Sequence, residues 1–349
     1  MALPQLTERE RRVLEAVIQS YVETAEPAGS RTISRRFGLG VSPATIRNTM
    51  SDLEEKGFLF HPHTSAGRVP TNKAYRLYVD SLLSLPPLPS AHTDRLTEEI
   101  GGVAGASPIE TILRRAAQTL GVLTQELGVA LGPRLDHSVL RRLELVRVSG
   151  ERLLMVLTLD GGLMRTVFVE FAGEVADSAL AAVTAVLNER LAGLTLAQIR
   201  TSVPARLRDA GADKSTSELL NIFVQEGEQL FDAALPMPDG QVVLGAASVL
   251  AEQPEFSGPD RLRRLLALTE TPQALGEAIR KRGGAPGISI TIGAEHDDPR
   301  LEDFTVVTAE YHAGSLAGVI GVIGPTRMSY EKVISLVSHT SQLLSDLLD

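Results

Sequence analysis

Residues 42–71 read SPATIRNTMSDLEEKGFLFHPHTSAGRVPT, and their punctuation sets the architecture of the first eighty residues. Ser42-Pro43 puts a favoured N-cap residue before a favoured first helical residue. Ile46, Met50 and Leu53 then recur on one face, and Gly57 stops the helix as a C′ glycine does. Phe58-Leu59-Phe60 and Arg68-Val69-Pro70 flank a short loop with Ser65-Ala66-Gly67, the pattern of a β-hairpin. Upstream, Thr7 and Glu10 make a capping box for a helix with Val13, Leu14, Val17, Ile18 and Tyr21 on one face. Pro27-Ala28-Gly29 breaks that run. Ser30 then caps a short helix with Ile33 and Phe37 inward, and Gly38-Leu39-Gly40-Val41 is a tight turn. Downstream, Tyr75, Leu77, Tyr78, Val79, Leu82 and Leu83 form the apolar set of a further helix.

Helix, short helix, turn, helix, hairpin is the order of a winged helix-turn-helix. A helix fits the DNA major groove, and its N-terminal side chains reach base edges there. Thr45, Arg47, Asn48 and Ser51 lie off the apolar stripe of the third helix, with Ser42 at its cap. Arginine pairs bidentately with guanine and asparagine with adenine. Arg31, Arg35 and Arg36 crowd the preceding helix, where phosphate contacts are expected, and Arg68 sits in the wing beside small residues. The plainer alternatives are a solvated helix face and a protein-interaction module. His61 and His63 flank Pro62 with no third ligand nearby, so they read as hairpin residues rather than a metal site.

Beyond the head, residues 84–90 (SLPPLPS) form a proline-rich linker. A helix is expected over about 108–127 and strands near 128–131, 139–148, 152–159 and 163–169, with Asp160-Gly161-Gly162 turning between the last two. Residues 173–235 turn Ala/Leu-rich with helical period and read as an inserted helical unit. From about 241 the α/β texture resumes. Helices are expected at 259–268 and 272–282, strands at 287–292, 304–311 and 315–323, and a last amphipathic helix at 329–348. The fold class is therefore α+β and multidomain.

The chain is 349 residues long with a net charge of −9, which on its face argues against a nucleic-acid partner. The average conceals an asymmetry. Residues 1–80 hold 11 Lys/Arg against 9 Asp/Glu, a net +2, and the remaining 269 hold 23 against 34, a net −11. There is no Cys, which excludes disulfides and thiolate chemistry and fits a cytoplasmic protein. No secretory signal or membrane span is read from the sequence. No phosphate-binding loop, zinc-protease or nucleophile-elbow motif occurs, so an enzyme is not expected, nor is a cofactor or metal. The run Glu295-His296-Asp297-Asp298 with Glu302 and Asp303 reads as a solvated acidic loop rather than a metal site. Gly314, Gly318, Gly321 and Gly324 read as turns or close backbone packing rather than a phosphate loop. Aromatics are only 4%, which disfavours RNA binding by stacking. A small-molecule-sensing regulator stays open, because no residue selects a ligand.

Residues 6–34 (LTERERRVLEAVIQSYVETAEPAGSRTIS) and 42–82 (SPATIRNTMSDLEEKGFLFHPHTSAGRVPTNKAYRLYVDSL) closely resemble the heat-inducible transcription repressor family HrcA. GAEHDDPRLEDFTVVTAEY at 293–311 and GVIGPTRMSYEKVI at 321–334 are similar to its C-terminal region, whereas 173–235 is the least distinctive part. The resemblance implies a winged helix-turn-helix in 1–83, a linker at 84–90, a discontinuous GAF-like domain in 91–172 and 241–349, and an inserted dimerising domain in 173–240. It further implies repression of chaperone operons through an inverted-repeat (CIRCE) operator, bound as a homodimer kept active by the GroE chaperonin. The operator-reading positions would be Ser42, Thr45, Arg47 and Asn48, with Arg68 in the wing. Leu180, Val183, Val186, Leu187 and Leu191 are candidate dimer residues, with intradomain core as the alternative.

Overall fold

A computed structural model describes residues 6–62, 67–83, 85, 87–104, 109–133, 138–149, 152–160, 164–170, 176–208, 214–233, 242–282, 287–314 and 316–348. The elements run α1 (Glu8–Thr24), α2 (Ser30–Phe37), α3 (Pro43–Glu55), β1 (Leu59–Phe60), β2 (Val69–Pro70) and α4 (Asn72–Leu77), which continues into a π-helical turn. Then come α5 (Ser90–Ala104), α6 (Ile109–Thr124), β3 (Leu127–Leu131), β4 (Leu140–Ser149), β5 (Arg152–Leu159) and β6 (Met164–Glu170). These are followed by α7 (Asp177–Leu191), α8 (Leu196–Leu207), α9 (Lys214–Ala233), β7 (Val242–Leu244), α10 (Ser248–Ala251), α11 (Pro259–Glu270) and α12 (Pro272–Arg282). The chain closes with β8 (Ile288–Ile292), β9 (Phe304–Ala313), β10 (Leu316–Pro325) and α13 (Tyr330–Leu348). None of the described helices is long and apolar enough to cross a membrane.

The chain divides into two compact units. The first holds Met1–Ala130, Val242–Glu310 and Val319–Leu343, and the second holds Leu131–Gln241, Tyr311–Gly318 and Leu344–Asp349. In the first unit the local signals at the head are realised. Thr7 Oγ1 accepts from the Glu10 amide while Glu10 Oε2 accepts from the Thr7 amide, completing the capping box. Ser42 Oγ accepts from the Thr45 amide at 3.1 Å, with Pro43 in the first helical turn. β1 and β2 pair antiparallel, Leu59 opposite Pro70. Val13, Leu14, Val17, Ile18, Ile33, Ile46, Leu53 and Phe58 close one core beneath them. Phe37 is half-exposed rather than inward, with the Arg36 guanidinium 5.7 Å from its ring centre. The loop residues His63, Ser65 and Ala66 lie outside the described residues.

The five-stranded sheet has the order β7-β3-β10-β9-β8. β3 (LGVAL) is buried along its whole length, as a central strand must be. Gly128 makes this possible, because a Cβ there would lie 1.8 Å from the Ala117 carbonyl oxygen of α6. The late glycines do the same: added Cβ atoms at Gly318 and Gly321 would meet the Tyr311 ring and the Val307 carbonyl. Close packing is therefore their role. α5 has no counterpart among the expected helices, because its apolar stripe is thin, with Leu96 and Ile100 its buried hydrophobics.

In the second unit, β4, β5 and β6 form an antiparallel sheet. Alternation sends Leu143, Leu145, Leu153, Met155, Leu157, Val167 and Val169 to one face. Those side chains share a single core with α7, α8 and α9, including Val203, Phe223 and Phe231. One expectation changes accordingly. The change of texture near 172–173 is not a domain boundary; it separates the sheet layer from the helix layer of one core. Leu180, Val183, Leu187 and Leu191 are buried in this core, with Val186 packed at its margin, as the intradomain alternative has them.

Candidate nucleic-acid interface

The third helix, α3, presents Arg47 and Asn48 to solvent one turn from its start. Neither side chain has a hydrogen-bond partner among the described residues. The N-cap fixes their position: Ser42 Oγ holds the Thr45 amide and lies 2.9 Å from Thr45 Oγ1. Ser42 and Thr45 are thus engaged with each other. Ser51 Oγ bonds back to the Arg47 carbonyl at 3.3 Å. Buried Ile46, Thr49, Met50 and Leu53 anchor the opposite face.

The other arginines divide. Arg31 and Arg35 are exposed on α2, and Arg35 Nε donates to the Arg31 carbonyl at 3.4 Å. Arg36 is paired with Glu23 of α1. Arg68 does not project from the hairpin. Its backbone pairs with Ala28 in both directions, at 2.9 and 3.0 Å. Its guanidinium lies 2.8 Å from Glu54 with only 20% of the side chain exposed. Arg68 therefore ties the hairpin to the end of α3 and to the start of α2. No local pattern signals this pairing, since Glu54 is fourteen positions away along the chain.

A cleft of about 170 Å³ opens between these parts, lined by Gly29, Ser30, Arg47, Met50, His61 and Arg68. His61, expected as an ordinary hairpin residue, lines this cleft, with its Nδ1 2.7 Å from the Pro62 carbonyl. The arrangement offers the unpaired Arg47 guanidinium and the N-terminal turn of α2, a chemistry suited to phosphate oxygens.

The head is fixed to the sheet region of the same unit by two arginines. Arg76 of α4 donates from Nε to Glu295 Oε1 at 2.7 Å and from Nη2 to the Ile290 carbonyl at 2.7 Å. Arg327 donates from Nη1 to the Val22 carbonyl in the last turn of α1, at 2.7 Å, and is paired with Glu255. Both members of that pair are only 14% exposed. Gly293, at φ +52°, lets Asn72 pack directly on it; a Cβ would lie 2.0 Å from Asn72 Nδ2. Glu295, expected in a solvated loop, is therefore a joint residue. Asp298 caps the following turn and pairs with Arg300.

Burial works against the Glu295 charge, but hydrogen bonds from Arg76 and the Ile292 amide outweigh it and hold its carboxyl below the usual range. A carboxyl lowered by folding contributes stability above its unfolded pKa, and that contribution is lost as pH falls through the folded value. Arg76→Ala is expected to cost about 1–2 kcal/mol near neutral pH, since hydrogen bonds to charged groups are worth about that when partly exposed. Denaturant melts across pH check it: the gap to wild type should narrow on acidification, and a gap independent of pH would contradict the pairing.

Residues 110–334 match the family model described as the HrcA protein C-terminal domain. The heat-inducible transcription repressor HrcA of Chlorobium phaeobacteroides (strain BS1) is 40% identical, covering 99% of each chain. That of Geobacter sulfurreducens is 36% identical, again over 99% of each. A crystal structure described as a hypothetical protein aligns over 99% of both chains with a TM-score of 0.67 at 21% identity, a likeness of fold. The class of this protein is that of transcription repressors. The chain belongs to the heat-inducible transcription repressor family HrcA.

Proposed function

We propose that the protein represses heat-shock chaperone operons by binding an inverted-repeat operator (CIRCE) as a homodimer. In this reading residues 6–83 are a winged helix-turn-helix, α3 is the recognition helix, and the hairpin is the wing. The five-stranded sheet is GAF-like, and the second unit joins two copies. The observation that carries the reading is the pair Arg47 and Asn48, exposed and uncommitted at the start of a capped helix whose other face is buried. Arg31 and Arg35 take phosphates beside it. Arg68 supports the wing rather than reading DNA, because Glu54 balances its charge.

The dimer surface moves to the outer face of the β4–β6 sheet. Val146, Val148, Met164 and Phe168 are 48, 55, 64 and 54% exposed there. Register puts Val146 beside Leu154 and Leu154 beside Phe168, a continuous apolar centre. Arg142 and Glu144 lie towards one end of this face, and Arg152 and Glu170 at the other. Each end carries both signs, which suits contact with a second copy of the same patch. In the same reading the GroE chaperonin keeps the repressor active: a repressor of marginal stability loses active molecules when heat occupies the chaperonin. The test is a gel shift with an inverted-repeat operator, competed by scrambled DNA and titrated with salt. A dimer-stoichiometry complex with a steep salt slope supports the reading, and equal binding to scrambled DNA overturns it. Operator binding of heat-treated protein, refolded with and without chaperonin, tests the control step; equal recovery overturns it.

A further inference from the structure

We propose that the polar cleft beside Glu126 is a binding site for a small organic cation, an aliphatic ammonium held by the Glu126 and Glu252 carboxylates. The cleft has a volume of about 480 Å³ and is walled by Thr124, Glu126, Glu252, Gln253, Arg327 and the end of α1 at Val22. Glu126 is 4% exposed, yet among the described residues it has no ion-pair partner. Gln253 Nε2 donates to its Oε2 at 3.2 Å, and among the described residues Oε1 accepts nothing. Room for the carboxyl is built into the sheet: a Cβ on Gly324 of β10 would lie 2.0 Å from Glu126 Oε2.

The hydrogen-bonding balance selects the ligand. Arg327 is spent on Glu255 and the Val22 carbonyl, so it does not recruit an anion. Thr124 donates to the Leu120 carbonyl, and the Gln253 amide also serves the Gln125 carbonyl. What the cleft has left over are acceptors and negative charge, namely Glu126 Oε1 and exposed Glu252. That complements a donor-only cation such as an ammonium. Val249 and Met328 supply apolar wall for its methylenes.

Burial pushes the Glu126 carboxyl well up. The Gln253 hydrogen bond and the Arg327 charge act the other way, and the Glu255 charge adds to the rise. Glu23 of α1, the remaining charged wall residue, is already paired with Arg36.

Calorimetric titration of the full-length protein with putrescine, at about 0.15 M salt to screen diffuse attraction to an acidic chain, tests the site. Saturable binding of one ligand per chain is expected. Glu126→Gln keeps the amide-bonding shape and should lose at least about tenfold in affinity. Glu252→Gln, at an exposed position that cannot disturb the core, should weaken binding several-fold, whereas Glu270→Gln should not. No saturable binding by the wild type, unchanged binding by Glu126→Gln and Glu252→Gln, or equal binding of magnesium chloride alone would each overturn the proposal.

Discussion

Alanine at Arg47 is expected to weaken operator binding by about 1–3 kcal/mol per half-site and to relax base preference at one position of each half. The loss is of base contact, so binding to scrambled DNA should fall much less than binding to the operator. Folding should be unaffected, because the side chain is exposed and has no partner among the described residues. Arg35→Ala is the contrasting change. An exposed arginine on α2 that meets a phosphate should weaken all sequences alike and lower the salt slope by about one per site. Fluorescence anisotropy with labelled operator and scrambled duplexes, each across a salt series, separates the two. If Arg47→Ala bound both duplexes as wild type does, α3 would not be the reading helix.

Arg68 shows how far such reasoning extends from sequence. Its neighbourhood of small residues marks a place where backbone can approach DNA, and that inference is local. What its guanidinium does is decided by Glu54, which approaches only because α3 and the hairpin pack through Leu53, Phe58 and Val69. Elements, by contrast, are set by neighbours in the chain. The Ser42-Pro43 start, the Gly57 stop, the Thr7–Glu10 box and the strand alternation over 152–159 each become the structure they encode. Where several elements must agree, the sequence is silent. The α7 stripe at Leu180, Val183, Leu187 and Leu191 has the period of a buried helix face and of a helix-helix interface alike. Only the presence of β4–β6 beneath it decides for core. Likewise, Glu295 looks like part of a solvated acidic run until Arg76, 219 residues earlier, reaches it.

The proposed dimer surface makes the second large prediction, and it rests on the two faces of one sheet. Phe168→Asp places a carboxylate at the centre of the outer apolar face while leaving the inner face untouched. Its neighbour Arg152, 5.0 Å from the present ring, can pair with the new charge in the separated chain. The variant should therefore fold as a monomer with unchanged secondary structure. Tethering of two half-site readers raises effective concentration enough to gain about 10²–10⁴ in avidity. Operator affinity should accordingly drop by that order, although α3 is intact. Leu187→Ala probes the opposite layer. It removes fully buried side chain from the shared core and should cost about 2–5 kcal/mol in stability. The surviving folded fraction should still dimerise. Sedimentation velocity and thermal melts on both variants decide the matter. Were Phe168→Asp to remain dimeric and Leu187→Ala to dissociate without loss of stability, α7 rather than the sheet would be the interface. Were both to remain dimeric, the second unit would not be what joins the two copies.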